Sequence, residues 1–265
     1  MKRVLKPKVE TTSQNFALNQ ARALYYDFFA GFFVFELLGT RKDLFERQIE
    51  ILADCPLDSA DGEHFSALQN YLKRSNLDDM KREYSQTFDI PFGAKPEADY
   101  APKNADSEDE AKAFETLHKT LQNLPKGQIF LYLSHYTEGC LNGESLLKVK
   151  QLVKQTHFRL NKDGFKESEE HFGFLLLFMS YLLRDSAESN VDSAESNADS
   201  AESNADSTES NANPISANDF FNKCLRPMAS KIADLLAKRD DLHCYQKVGI
   251  LLKRFIALEE EICAV

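Results

Sequence analysis

Tryptophan is absent from this chain of 265 residues, and glycine and proline are scarce at 10 and 8. A turn-rich β architecture needs frequent Gly and Pro punctuation, so their scarcity argues against one and leaves helices as the expectation. Cysteine is sparse too. Cys55, Cys140, Cys224, Cys244 and Cys263 are an odd number with no C-x-x-C pair. Neither a disulfide framework nor a structural zinc site is supported, and free thiols point to a reducing compartment, the cytoplasm. No G-x-x-x-x-G-K-[ST], G-x-G-x-x-G or H-E-x-x-H occurs, so phosphate-cradling loops and the commonest helical zinc motif are missing. The basic N-terminus lacks an apolar run with a small-residue cleavage site, so no secretory signal is read there. The apolar stretch 16–38 is interrupted by Arg22, Asp27 and Glu36, and 172–183 is too short to span a bilayer, so no membrane span is expected.

An excess of positive charge is also lacking. The net charge is -10, but eight carboxylates without a Lys or Arg lie in the single segment 185–212, which leaves about -2 for the remainder. A broad nucleic-acid face needs concentrated positive charge, and none is present. That segment is a heptapeptide array, DSAESNV, DSAESNA, DSAESNA and DSTESNA. Each repeat offers only Ala or Val as an apolar residue, with no Leu or Ile seam for a coiled coil, so it reads as a disordered acidic linker.

What is present is helical periodicity. Between Phe16 and Leu38, Ala17, Ala21, Leu24, Tyr25, Phe28, Phe32 and Phe35 recur at helix-face spacing. Thr40 with Asp43 starts a second helix, which Pro56 stops, and helices at 62–74 and 77–88 follow, the latter capped by Asn76. Ser107 with Glu110 opens one reaching Leu124, and 129–133 (IFLYL) is read as helix because an isolated strand has no partner. Helices continue over Ser145–Phe158, 172–183, 217–238 and 241–262. The segment 172–183 is apolar on every side and marks the bundle centre. The expected fold is all-α, a bundle of about nine to ten helices. An N-terminal helical domain (1–184) joins a C-terminal helical part (214–265) through the linker (185–213), which serves as a hinge. Such a tether permits a homodimer that exchanges its C-terminal helices.

Catalytic machinery is not visible. His135 and Cys140 lie five residues apart near a turn, but no third group is indicated to orient them. One polar cluster stands out: Glu167, Glu169, Glu170 and His171 immediately precede the apolar helix. Acidic residues complement the positive end of a helix dipole, and the same residues would rim any groove opening onto the core. His171 reads either as a group titrating near neutrality or as a hydrogen-bonded packing residue.

These residues carry a resemblance. Glu167-Ser168-Glu169-Glu170-His171-Phe172-Gly173, continuing Phe178-Met179-Ser180-Tyr181-Leu182, resembles the E-P-x-D-H-x-x-x-x-x-x-F-M-x-x-L segment of the TorD/DmsD family of molybdoenzyme chaperones. Glu83-Tyr84 with Phe88 is similar to its E-Y-x-x-L-F element, and Ser134-His135-Tyr136 through Gly143-Glu144 to its S-x-Y turn. Phe220-Phe221 through Leu225-Arg226-Pro227 is similar to its F-x-x-x-H-L-x-P-W element. Ser168 stands where the family has Pro, Glu170 where it has Asp, Cys224 where it has His, and Met228 where it has Trp. The resemblance implies a cytoplasmic chaperone of anaerobic respiration that catalyses nothing; no cofactor or metal is expected because no motif for one occurs, while nucleotide binding, which the family sometimes suggests, stays open. Such a chaperone binds the twin-arginine signal peptide of a molybdenum-cofactor oxidoreductase precursor, formate dehydrogenase-like or dimethyl sulfoxide/trimethylamine oxide reductase-like, until the cofactor is inserted. Two arginines beside an apolar stretch call for carboxylates beside an apolar groove. The candidates are Glu167, Glu169, Glu170 and His171, with Glu83 and Tyr84 behind them, and Glu167 and Glu170 are expected at the surface. The alternatives are a small hydrolase using Cys140 or His171, and a helical scaffold that binds through its acidic repeat.

Overall fold

The aromatic run Tyr25-Tyr26-Asp27-Phe28-Phe29 is apolar on more than one helix face, so its helix must be surrounded. In the structure, a computed structural model, that helix is α1 (Lys8–Phe33), and Tyr25, Tyr26, Phe28, Phe29, Phe32 and Phe33 are each at most 1% exposed. Residues 8–40, 42–54, 56, 58–89, 128–159, 161, 164–195 and 215–264 are described. After α1 come α2 (Phe35–Thr40), α3 (Lys42–Asp54), α4 (Gly62–Arg74) and α5 (Leu77–Phe88). The chain is next described through α6 (Leu133–Glu138), α7 (Glu144–Lys154) and α8 (Phe172–Glu195), then α9 (Ala217–Phe220), α10 (Arg226–Ala237) and α11 (Cys244–Cys263). The fold is all-α, and no strand occurs among the described residues. No helix among them is long and apolar enough to cross a membrane.

The centre is shared by α1 and α8, which pack along each other, with α11 closing the other side of α1. Tyr25 stacks on Phe255 at 4.9 Å, and Phe255 also meets Tyr26 edge-on at 4.9 Å, so rings from distant parts of the sequence interlock. Each such pair adds about 0.5–1.5 kcal/mol beyond the area it buries. Polar links tie the same elements: the Arg22 guanidinium donates to both carboxylate oxygens of Glu259 at 2.7 and 2.9 Å, and the Tyr26 hydroxyl donates to Glu259 at 2.7 Å, all buried. Arg254 of α11 pairs with Asp58 and Asp61, before α4.

Four local features differ from the sequence expectation. The long first helix breaks at Val34, where no Gly or Pro announces it. The start of α8 explains the break: a Cβ on Gly173 would lie 2.7 Å from the Phe33 carbonyl oxygen and 2.6 Å from Val34 Cγ2. The two backbones touch there, and only glycine fits. Residues 129–132 are extended, not helical. Their backbone finds partners without a sheet: the Ile129 N–H donates to the Thr87 carbonyl, the Phe172 N–H to the Leu131 carbonyl and the Leu133 N–H to the Glu170 carbonyl, with an isolated antiparallel bridge at Tyr132 and His171. Helix α8 runs through Glu195, so the first eleven residues of the array are helical. Extending an existing helix adds a bond per residue, and Asp, Ser, Ala and Glu offer no breaker. Last, the C-terminal helical run contains a π-helical turn at Phe221–Leu225 just before Pro227. A proline removes an N–H and crowds the preceding turn, and a widened turn accommodates both. The helix expected over 107–124 and the array from 196 to 212 lie outside the described residues.

Candidate functional site

Two of the acidic residues singled out in the sequence are structural. Glu83 on α5 is 8% exposed, and its carboxylate accepts from the backbone N–H groups of Cys244 at 2.9 Å and Tyr245 at 2.8 Å. It caps the start of α11, where a negative charge also meets the positive end of the helix dipole. Tyr84 is buried, with its hydroxyl donating to the Phe33 carbonyl at 3.4 Å.

Glu170, expected at the surface, is 0% exposed. Its carboxylate accepts from the Ser134 N–H at 2.7 Å, the Ser134 hydroxyl and the Asn142 N–H at 3.0 Å, while the Ser134 hydroxyl in turn accepts from the Gly143 N–H at 2.9 Å. This network holds the turn between α6 and α7 against the start of α8. Its burial has a plain cause: a loop entering a buried helix must satisfy its own backbone donors, and a carboxylate does so at close range. Burial still pushes the Glu170 carboxyl above its usual range, against the pull of those bonds. Nearby, Glu138 caps α7 by accepting from the Glu144 N–H at 2.7 Å and the Ser145 N–H at 2.8 Å. Glu169 turns to α7 and pairs with Lys150 at 3.8 Å.

Of that cluster Glu167 and His171 line a cavity, a pocket of 300 Å³ between the start of α2, the end of α5 and the loop leading into α8. Its lining comprises Phe35 and Glu36 from α2, Lys81, Tyr84 and Asp89 from α5 and its end, and Phe165, Lys166, Glu167 and His171 from the loop. Three carboxylates face two lysines. The rings of Tyr84, Phe165 and His171 are buried, and Phe35 is 39% exposed. Burial first, then the charges of Glu167, Asp89 and Glu36, push the pKa of the Tyr84 hydroxyl far above the ordinary tyrosine value and make it a weaker acid. The Tyr132 hydroxyl donates to Glu167 at 2.5 Å and is likewise raised, by burial and then by the Glu167 charge. His171 is buried with Nδ1 accepting from the Gly173 N–H at 3.2 Å, and its ring stands edge-on to Tyr132 and Phe165 at 5.4 and 5.6 Å. Two larger clefts suit a cationic guest less well. One sets four basic groups (Arg74, Arg82, Arg239, Lys247) against three carboxylates (Asp79, Glu83, Asp241), of which Glu83 is already engaged by the start of α11. In the other, Arg254 and Lys253 already pair with Asp58 and Asp234.

The groups a hydrolase would use are detuned. Burial, then the charges of Glu138 and Glu170, push the Cys140 thiol up, away from the nucleophilic thiolate. His135 is stacked on Phe130 at 4.2 Å, and burial and Lys231 lower its basicity. Among the described residues no group of His, Cys, Asp or Glu is arranged to hold a metal ion.

Residues 99–213 match the family model described as nitrate reductase delta subunit, a stretch that includes the loop bearing Glu167, Glu170 and His171 together with α8. The match supports a TorD/DmsD-like molybdoenzyme chaperone. It covers less than half of the chain, and neither a curated protein nor a solved structure matches. Such chaperones mature molybdoenzymes and are not themselves enzymes. The pocket brings Glu167, Tyr84 and His171 together, leaves Glu169, Glu170 and Glu83 outside its opening, and adds Phe35, Glu36, Asp89 and Phe165. Asp89 carried a faint signal, directly following the Glu83-Tyr84-Phe88 element. Glu36 and Phe35 carried none, because the helix break that turns them into the pocket is invisible in the sequence.

Proposed function

We infer that this chaperone binds the twin-arginine signal peptide of a molybdenum-cofactor oxidoreductase precursor in the pocket between α2, α5 and α8, and holds it in the cytoplasm until the cofactor is inserted. The observation that carries the reading is the convergence of Glu36, Asp89 and Glu167 around Tyr84, beside the rings of Phe35 and Phe165. A guanidinium is planar, weakly hydrated and suited at once to a carboxylate and an aromatic face. The signal peptide supplies two such groups next to an apolar stretch. The precursor is of nitrate reductase, formate dehydrogenase or dimethyl sulfoxide/trimethylamine oxide reductase type, the first in keeping with the family match.

Calorimetric titration with a synthetic twin-arginine peptide tests this on wild type and Glu167→Gln. The neutral isostere keeps an oxygen for the Tyr132 hydroxyl and removes the charge. A charge-assisted contact is worth about 1.5–3 kcal/mol, so affinity falls about tenfold or more, and its dependence on salt flattens. Equal affinities at low and high salt would place the peptide elsewhere.

A further inference from the structure

One of the pocket's own cations already sits where a guest's cation should go. Lys81 of α5 holds its ammonium 5.7 Å from the centroid of the Phe35 ring, within the range of a cation–π contact. Phe35 is the lining ring with the largest open face at 39% exposed, whereas Tyr84, Phe165 and His171 are each 8% exposed or less. An exposed aromatic ring beside three carboxylates is a receptor for a cation, and in the free protein that cation is Lys81.

Building on the peptide-binding reading, we propose that Lys81 is an internal stand-in for a guest arginine, which must displace it from Phe35, and that this exchange makes the pocket select arginine over lysine. The chemistry is asymmetric. A guest ammonium replacing Lys81 exchanges like for like, a strongly hydrated point charge for another, and gains nothing over the ring. A guest guanidinium lies flat on the ring and reaches a carboxylate with its remaining N–H donors, neither of which Lys81 does at that place. The released ammonium stays in the pocket, where its charge opposes a dicationic guest. Lys166 lines the same pocket without lying over Phe35 in any ring contact among the described residues, and so provides the control for charge alone.

The test is titration of wild type, Lys81→Met and Lys166→Met with two synthetic peptides, one carrying the arginine pair before an apolar stretch and one with both arginines replaced by lysine. Methionine keeps the length of the side chain and removes the charge; Lys81→Gln is the second variant should Lys81→Met misfold. Lys81→Met is expected to tighten the arginine peptide by about threefold to tenfold. It should tighten the lysine peptide by more, so that the preference for arginine shrinks, while Lys166→Met tightens both peptides equally and by less. In a Phe35→Leu background the Lys81→Met gain should fall to that of Lys166→Met. An unchanged or weaker affinity in Lys81→Met, or a gain equal to that of Lys166→Met with the arginine preference intact, overturns the stand-in while leaving the pocket as the binding site. Loss of the whole premise looks different: binding to wild type that Glu167→Gln does not weaken means that the pocket is not the site, and both proposals fail.

Discussion

Replacing Glu170 by Gln should destabilise the fold and leave the binding pocket working. The carboxylate accepts three hydrogen bonds, from the Ser134 N–H, the Ser134 hydroxyl and the Asn142 N–H, at 0% exposure. A glutamine can present its carbonyl oxygen to Ser134 and keep two of them, but its amide NH2 then faces the Asn142 N–H, donor against donor. A lost bond to a charged acceptor costs about 1.5–3 kcal/mol. Relief of the buried charge offsets part of it, and the raised carboxyl pKa shows that burial outweighs the bonds. The net cost is about 1–2.5 kcal/mol, or about 2–10 °C in melting temperature for a chain of this size. Glu170→Ala loses all three bonds and leaves a cavity, and should cost about 3–5 kcal/mol. Urea unfolding followed by circular dichroism measures both, and titration with the twin-arginine peptide well below the midpoint should give near wild-type affinity for Glu170→Gln. A variant that melts like wild type but binds tenfold more weakly would refute the structural assignment and return Glu170 to the peptide.

Gly249→Ala should destabilise by about 1–3 kcal/mol in the same unfolding assay, because its Cβ would lie 2.5 Å from Leu236 Cβ and 2.7 Å from the Ala237 nitrogen where α10 and α11 touch. Burial raises the Glu138 carboxyl, but its bonds from Ser145 and Glu144 prevail and hold it below the usual range. Its cap on α7 therefore contributes stability that is present above the ordinary carboxylate pKa and lost as pH falls through the depressed one, and Glu138→Gln should remove that acid dependence from melting curves. His135 is lowered from 6.5 by burial and by Lys231, so its contribution is present above 6.5 and declines as the pH drops below it. His135→Phe should flatten that part of the stability profile, and an unchanged slope would contradict the assignment. The acidic array is expected to act as a tether that lets the C-terminal helices pack on a second copy, re-forming the Arg22–Glu259 and Glu83–Tyr245 links between chains. Light scattering should then show a dimer fraction that rises with concentration, and a strict monomer over a thousandfold range would remove the idea.

The elements that were legible are those whose signals are local. Asn76 caps α5 through its side chain, as its position before Leu77 indicated, and the apolar run from Phe172 marked a helix at the bundle centre. The motif residues were legible as positions but not as roles. Glu83 bonds a helix start 161 residues away and Glu170 a turn 36 residues away, and nothing in either residue's neighbourhood tells a carboxylate meant for a backbone N–H from one meant for a guest arginine. The break at Val34 was illegible for a related reason: it is imposed by the approach of Gly173, from the far side of the chain. The pocket is built from that break, so Phe35 and Glu36 read as a helix face until the third dimension is supplied.

Whether the guest peptide occupies the pocket is read directly by photocrosslinking. A benzophenone side chain in place of Phe35, and for comparison in place of Leu147 on α7 and Leu235 on α10, both exposed at 57% and 47%, would be irradiated with the twin-arginine peptide of a molybdoenzyme precursor. Mass spectrometry would then map the joined residues. Crosslinks confined to position 35, on peptide residues flanking the arginine pair, and diminished by Glu167→Gln, are the predicted result. Equal or greater yield at Leu147 or Leu235, with none at position 35, would contradict it.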